Sequence, residues 1–115
     1  MPTFVLSTNL SRSNIPDVLA EEITALLSEQ MGKPQKYIAV HIVPDQLMHF
    51  GGSSDPCALA SLSSIGKINN KQNKHYSRLL FELVNKHLHI SADRMYITFQ
   101  DLNPANVGWD NSTFG

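Results

Sequence analysis

The sequence predicts an α/β fold of two tandem β-α-β units, in which four strands form one mixed sheet and two helices cover one of its faces. Three observations carry this expectation. The chain repeats itself at an offset of 57 residues: Gln30–Ile42 ("QMGKPQKYIAVHI") falls on His87–Phe99 ("HLHISADRMYITF"), with Met31 over Leu88, Ile38 over Met95, Val40 over Ile97 and Ile42 over Phe99. Two amphipathic stretches obey the same offset, and a strand-like run flanks each of them on either side. With 115 residues in total, the repeat divides one domain, 1–115, into halves of about 1–57 and 58–115.

Taken in order, Thr3–Thr8 ("TFVLST") reads as the first strand. The first helix follows, with Ser13 or Asn14 as its cap and Pro16-Asp17 in its first turn. Val18, Leu19, Ile23, Leu26, Leu27 and Met31 share one helical face, and Gly32 stands where a C-terminal glycine belongs. Tyr37–Val43 ("YIAVHIV") is the second strand, and Asp45–Pro56 ("DQLMHFGGSSDP") is an irregular connection. A third strand lies within Cys57–Ile65. The second helix spans about Gln72–Leu88, where His75, Tyr76, Leu80, Leu83, Val84 and Leu88 are the counterparts of the first helical face and all but His75 are apolar. Lys86 and His87 in its last turn suit the helix dipole. Met95–Phe99 closes the second unit.

A right-handed crossover makes the two strands of each unit parallel and puts both helices on one side of the sheet. The other face is then bare. "YIAVHIV" is apolar nearly throughout, as expected of a strand buried on both sides. The bare face is therefore expected to bury itself in an oligomer.

Composition excludes several classes. Net charge is −1, with a pI near 6.5 and no run of Lys and Arg, so neither nucleic acid nor an anionic membrane is an expected partner. No apolar run approaches the ~18 residues of a membrane span, so no membrane insertion is expected. The N-terminus lacks the charged region and long apolar core of a signal peptide, so synthesis in the cytosol is expected, and any work outside the cell requires another exit route. The sequons at Asn9 and Asn111 are then not glycosylated. Cys57 is the single cysteine, which excludes an internal disulfide and reads as a small buried hydrophobe. His41, His49, His75, His87 and His89 have no metal-site spacing, and His87 and His89 are expected on the surface at a helix end.

The feature with the most chemical consequence is Pro2. Removal of Met1, common before a small residue, leaves its ring nitrogen as a free secondary amine. Burial in an apolar pocket and a nearby cation would both lower the pKa of that amine and make it a base at neutral pH.

Together with Pro2 and the repeat, "GKPQKYIAVHIVPDQLM" (Gly32–Met48), "SSIGKI" (Ser63–Ile68) and "NPANVGWDNSTFG" (Asn103–Gly115) resemble the macrophage migration inhibitory factor family of the tautomerase superfamily. The resemblance covers the whole chain. It implies a homotrimer whose sheets form a central barrel with the helices outside, and a cofactor-free, metal-free keto-enol tautomerase acting on phenylpyruvate-like and dopachrome-like substrates. Pro2 is the implied base. Lys33, otherwise a solvated helix-end lysine, is implied to contact the substrate carboxylate. Ser64 and Ile65 line the site by their backbone, Val107, Trp109 and Phe114 form its apolar wall, Tyr37 its rim, and Tyr96 arrives from the neighbouring subunit. Thr98 stands where the family has asparagine and Thr3 where mammalian members have methionine, which alters substrate affinity and the pocket floor.

The resemblance also implies a pro-inflammatory cytokine, cytoplasmic and secreted by a non-classical route, that engages the invariant chain and chemokine receptors. Arg12 and Asp45 match the family's receptor contact, although alone they read as a solvated loop residue and a turn former. A receptor-binding protein with vestigial catalysis and a D-dopachrome tautomerase-like paralogue are the alternatives. The family's Cys-x-x-Cys is "CALA" here, Cys57–Ala60, so dithiol oxidoreductase activity is expected to be absent or very weak.

Overall fold

A computed structural model describes residues 1–115. Strands β1 (Thr3–Thr8), β2 (Ala39–Val43), β3 (Ala58–Ser64) and β4 (Met95–Asp101) form one sheet in the order β2-β1-β3-β4. β1 is parallel to β2 and β3 is parallel to β4, while β1 and β3 run antiparallel at the centre. Helices α1 (Val18–Met31) and α2 (Asn70–Leu88) are the two crossovers. The expected mixed sheet with two β-α-β units is therefore present.

The core lies between sheet and helices because each element buries one periodic face. Phe4 and Leu6 of β1 and Leu62 of β3 meet Leu19, Ile23 and Leu27 of α1 and Tyr76, Leu80 and Val84 of α2, all essentially without solvent exposure. Alternate residues of β1 and β3 are buried, as the period of a strand dictates. Leu26 and Leu83 pack at the margin of this core, whereas Val18, expected on the apolar face, is 40% exposed at the first turn of α1.

The 57-residue repeat extends to details that apolar pattern alone does not show. Short 3-10 turns at Gln35–Tyr37 and Ala92–Arg94 occupy equivalent positions, and Gly32 and His89 both end their helices in the left-handed conformation, at φ 64° and 57°. The halves diverge where a proline intervenes. α1 starts at Val18 rather than after Ser13 or Asn14, because Ile15 precedes Pro16 and is held extended at φ −103°, ψ 109°. Residues 12–14 make a separate 3-10 turn. The second half has no proline there, and α2 starts at Asn70, with Asn69 as a cap accepting from the Gln72 amide at 2.9 Å.

Three further expectations are corrected. β2 begins at Ala39, since Tyr37 belongs to the preceding turn, and in the single chain it is an edge strand with Ala39 and His41 exposed. β4 continues two residues past Phe99. His87 is not a surface residue: the antiparallel packing of α1 on α2 leaves its side chain 13% exposed and paired with Glu22. The C-terminal hairpin, β5 (Gly108–Trp109) with β6 (Ser112–Thr113), was not foreseen, although Asp110-Asn111, at φ 51° and 66°, supply the two left-handed positions its tight turn requires.

Candidate active site

Pro2 is buried at the entry to β1, and its carbonyl accepts from the Ala39 amide at 3.0 Å. That bond ties the start of the chain to the start of β2. Beside it, Gly32 turns the chain out of α1 and Ser28 holds the next residue, its hydroxyl donating to the Lys33 carbonyl at 2.7 Å. The Lys33 side chain then reaches back to the sheet, where Nζ donates to the Ile65 carbonyl at 3.2 Å.

This contact brings Lys33, Ile65 and the chain's first residues together. An ammonium has three donors, so two remain on Lys33 for an anion. The α-amino group of Met1 lies below its ordinary pKa, first because partial burial disfavours its charged form and second because the Lys33 cation is near. Ser64 is fully buried, and its carbonyl accepts from Leu102. Gly66, at φ 76°, makes the tight turn after Ile65 and donates its amide to Asp101 at 3.0 Å.

The chain's first residues also border a cavity of about 270 Å³, whose lining does not include Pro2, Lys33 or Ile65. Met1 and Thr3 form part of it, and Tyr37, Val107, Trp109 and Phe114 form its apolar wall. The C-terminal hairpin carries Trp109, and the Phe114 amide donates back to the Val107 carbonyl at 3.1 Å, closing the segment on itself. Trp109 and Phe114 stack at 5.8 Å, and both present edges to Tyr37, at 5.2 and 6.1 Å. Lys36 also lines the cavity and lies over the Tyr37 ring at 5.1 Å. Sequence reasoning missed Lys36, because in the sequence it is one more polar residue of a turn.

Tyr96 and Thr98 do not reach this place within one chain. Tyr96 stands opposite Leu59 and level with Ser7, four residues along from Thr3 and two strands over. At strand spacings that is about 13 Å along and about 10 Å across. Tyr96 is instead 66% exposed on the open sheet face, against Phe50 at 4.8 Å. Phe50 is a second residue that sequence reasoning missed. It belongs to the irregular connection, and Arg94 holds that connection by donating to the carbonyls of Phe50, Ser53, Asp55 and Pro56.

Arg12 and Asp45 lie at the opposite end of β1. The Asp45 amide donates to the Leu10 carbonyl at 2.8 Å, so their two loops are joined, while the Arg12 guanidinium pairs with Asp17 at 2.5 Å. Both readings as loop and turn residues hold, with Asp45 at φ 62°. No helix is long and apolar enough to cross a membrane.

Comparison with known proteins places this arrangement. The description "Macrophage migration inhibitory factor (MIF)" matches residues 1–115. The chain is 58% identical over 114 residues to macrophage migration inhibitory factor of Xenopus tropicalis and 56% identical to that of Rattus norvegicus, in each case over 99% of both chains. Among solved structures, that of macrophage migration inhibitory factor from Trichinella spiralis superposes with a TM-score of 0.95 at 41% identity, covering 97% of this chain and 99% of that one. The homologue from Prochlorococcus marinus gives 0.91 at 29% identity, over 98% and 99%.

Proposed function

The chain belongs to the macrophage migration inhibitory factor family, and from that premise we propose that residues 1–115 act as one unit, a keto-enol tautomerase whose base is the Pro2 nitrogen freed by removal of Met1. The substrates are small aromatic keto acids of the phenylpyruvate type and dopachrome. The observation that carries this reading is the amine of Met1, next to buried Pro2, whose pKa is lowered first by partial burial and second by the Lys33 cation, which itself donates to the Ile65 carbonyl.

The chemistry is an isomerisation that needs no co-reactant. In enolisation the neutral amine takes the proton from the carbon next to the ketone, the electron pair of that C–H bond moves into the new C=C bond, and the ketone oxygen receives a proton. In ketonisation the same steps run backwards. Lys33 holds the substrate carboxylate with its free donors, and the Tyr37, Val107, Trp109 and Phe114 wall takes the aromatic ring. Neither metal nor organic cofactor enters this scheme. Tyr96 and Thr98 complete the site from a neighbouring subunit of a homotrimer, because they lie too far from Pro2 in their own chain.

Ketonisation of enol phenylpyruvate, followed by the loss of enol absorbance, tests the assignment. In the processed protein Pro2→Gly is expected to lower turnover by about 100-fold or more, the usual worth of a positioned base, and to leave the oligomer intact. Full turnover in that variant would refute the base.

A second reading is favoured by a separate observation. The Arg12 and Asp45 loops are joined at the end of β1 remote from Pro2, and as a cytokine the protein would present them to the invariant chain or a chemokine receptor. Paired Arg12→Ala and Asp45→Ala changes should then weaken receptor binding while tautomerase turnover stays unchanged. Unaltered receptor binding would exclude that surface.

A further inference from the structure

We propose that the exposed face of α2 is a binding site for a linear sulfated polysaccharide. In sequence its cations are scattered, with no run among them. Helical geometry gathers them: Lys71, Lys74 and Arg78 are spaced three and four residues apart and so lie on one face, spanning about 10 Å. With Asn70 and His75 they line a shallow groove of about 430 Å³ that contains no hydrophobic side chain and no carboxylate.

Three observations point to an anionic ligand. First, these cations are unneutralised: the ion pairs of the chain are Arg12–Asp17 and Glu22–His87, and no acidic oxygen lies within 4.0 Å of Lys71, Lys74 or Arg78. Second, the first turn of α2 contains no acidic residue, so the positive end of the helix dipole adds to the same groove. Third, His75 is fixed between Gln30 of α1 at 2.7 Å and Arg78 at 3.1 Å, so the guanidinium is held along the groove. Glu82, one turn further on, ends the stripe.

The absence of apolar lining decides between polyanions. Single-stranded nucleic acid draws much of its affinity from bases stacked on aromatic side chains, and this groove has no Phe, Tyr or Trp, while its one ring, His75, is tied up by hydrogen bonds to Gln30 and Arg78. A sulfated sugar needs only ammonium, guanidinium and amide donors, all of which are present. The stripe also lies in the helix layer, on the opposite side from the open sheet face, and stands independently of the catalytic reading.

A titration of the full chain with a heparin-derived octasaccharide at several salt concentrations tests the site. Affinity should fall with a log–log slope of about 2 to 3, as expected for three cations displacing counterions. The triple variant Lys71→Ala, Lys74→Ala, Arg78→Ala should lose at least tenfold in affinity and most of that slope. Lys86→Ala, at the far end of α2, should stay within twofold. All three stripe residues are exposed, so circular dichroism and Tm should match the parent. Equal binding by the triple variant would overturn the proposal, as would equal binding of a desulfated octasaccharide. Tighter binding of a 20-nucleotide single-stranded DNA would overturn it too, and reassign the groove to nucleic acid.

Discussion

Lys33 both donates to the Ile65 carbonyl and, second to burial, lowers the pKa of the Met1 amine. The sign of the second effect is testable. A neutral amine is the base, so kcat/KM falls as pH drops through the pKa of that amine. Met1 removal moves the amine one residue inward, to buried Pro2, and under the proposed function burial and Lys33 are expected to lower its pKa as they do that of Met1. Lys33→Ala removes the cation, raises the amine pKa, and should move the acidic limb of the pH–rate profile to higher pH. An unshifted limb would mean that Lys33 only binds substrate. Cys57 allows a second test: it is fully buried and has no second thiol in the chain, so insulin reduction should not exceed that of Cys57→Ala. At this scale the sequence was informative where a residue acts through its position in the chain. Gly32 follows an apolar helix, so its place as the helix end was legible. Phe50 was not, since the loop geometry brings it against Tyr96 from far along the chain, and Lys36 was not, since in the sequence it is one more polar residue of a turn.

The two helices are terminated alike but by different residues. Gly32 and His89 are equivalent by the 57-residue offset, and both adopt the left-handed conformation that a side chain resists. Nothing lies within 4 Å of where a Cβ on Gly32 would stand, so Gly32→Ala carries only the backbone cost, about 1 kcal/mol. His89→Gly should gain a similar amount. Urea denaturation would show the two midpoints moving in opposite directions at constant m, and a shift in the same direction would contradict the argument. Element type and helical face were readable because periodicity is local. The start of α1 was not placed correctly, although Pro16 was visible, because its restriction falls on the preceding Ile15 and separates the 3-10 turn from the helix. His87 was misplaced for a different reason: Glu22 is distant in sequence, and only helix packing brings the two together.

The whole molecule presents one sheet face without helices, where Leu59 is 47% and Tyr96 66% exposed. In the proposed trimer that face is covered and Tyr96 serves the neighbour's Pro2. Mixing tests this directly. Pro2→Gly and Tyr96→Ala homo-oligomers should each be impaired, whereas co-assembled mixtures should regain part of the activity, because some sites draw both intact residues from different chains. No recovery on mixing would place the whole site within one chain. By itself the sequence determined the two β-α-β units and their pairing into one sheet, because periodicity and repetition are properties of neighbouring residues. Only the tertiary structure decided that Lys33 reaches Ile65, that Trp109 and Phe114 meet Tyr37, that Tyr96 stands apart from Pro2, and that Lys71, Lys74 and Arg78 face one groove free of carboxylates. Each depends on where packed elements come to rest, and packing joins residues that the sequence keeps far apart or leaves without a visible partner.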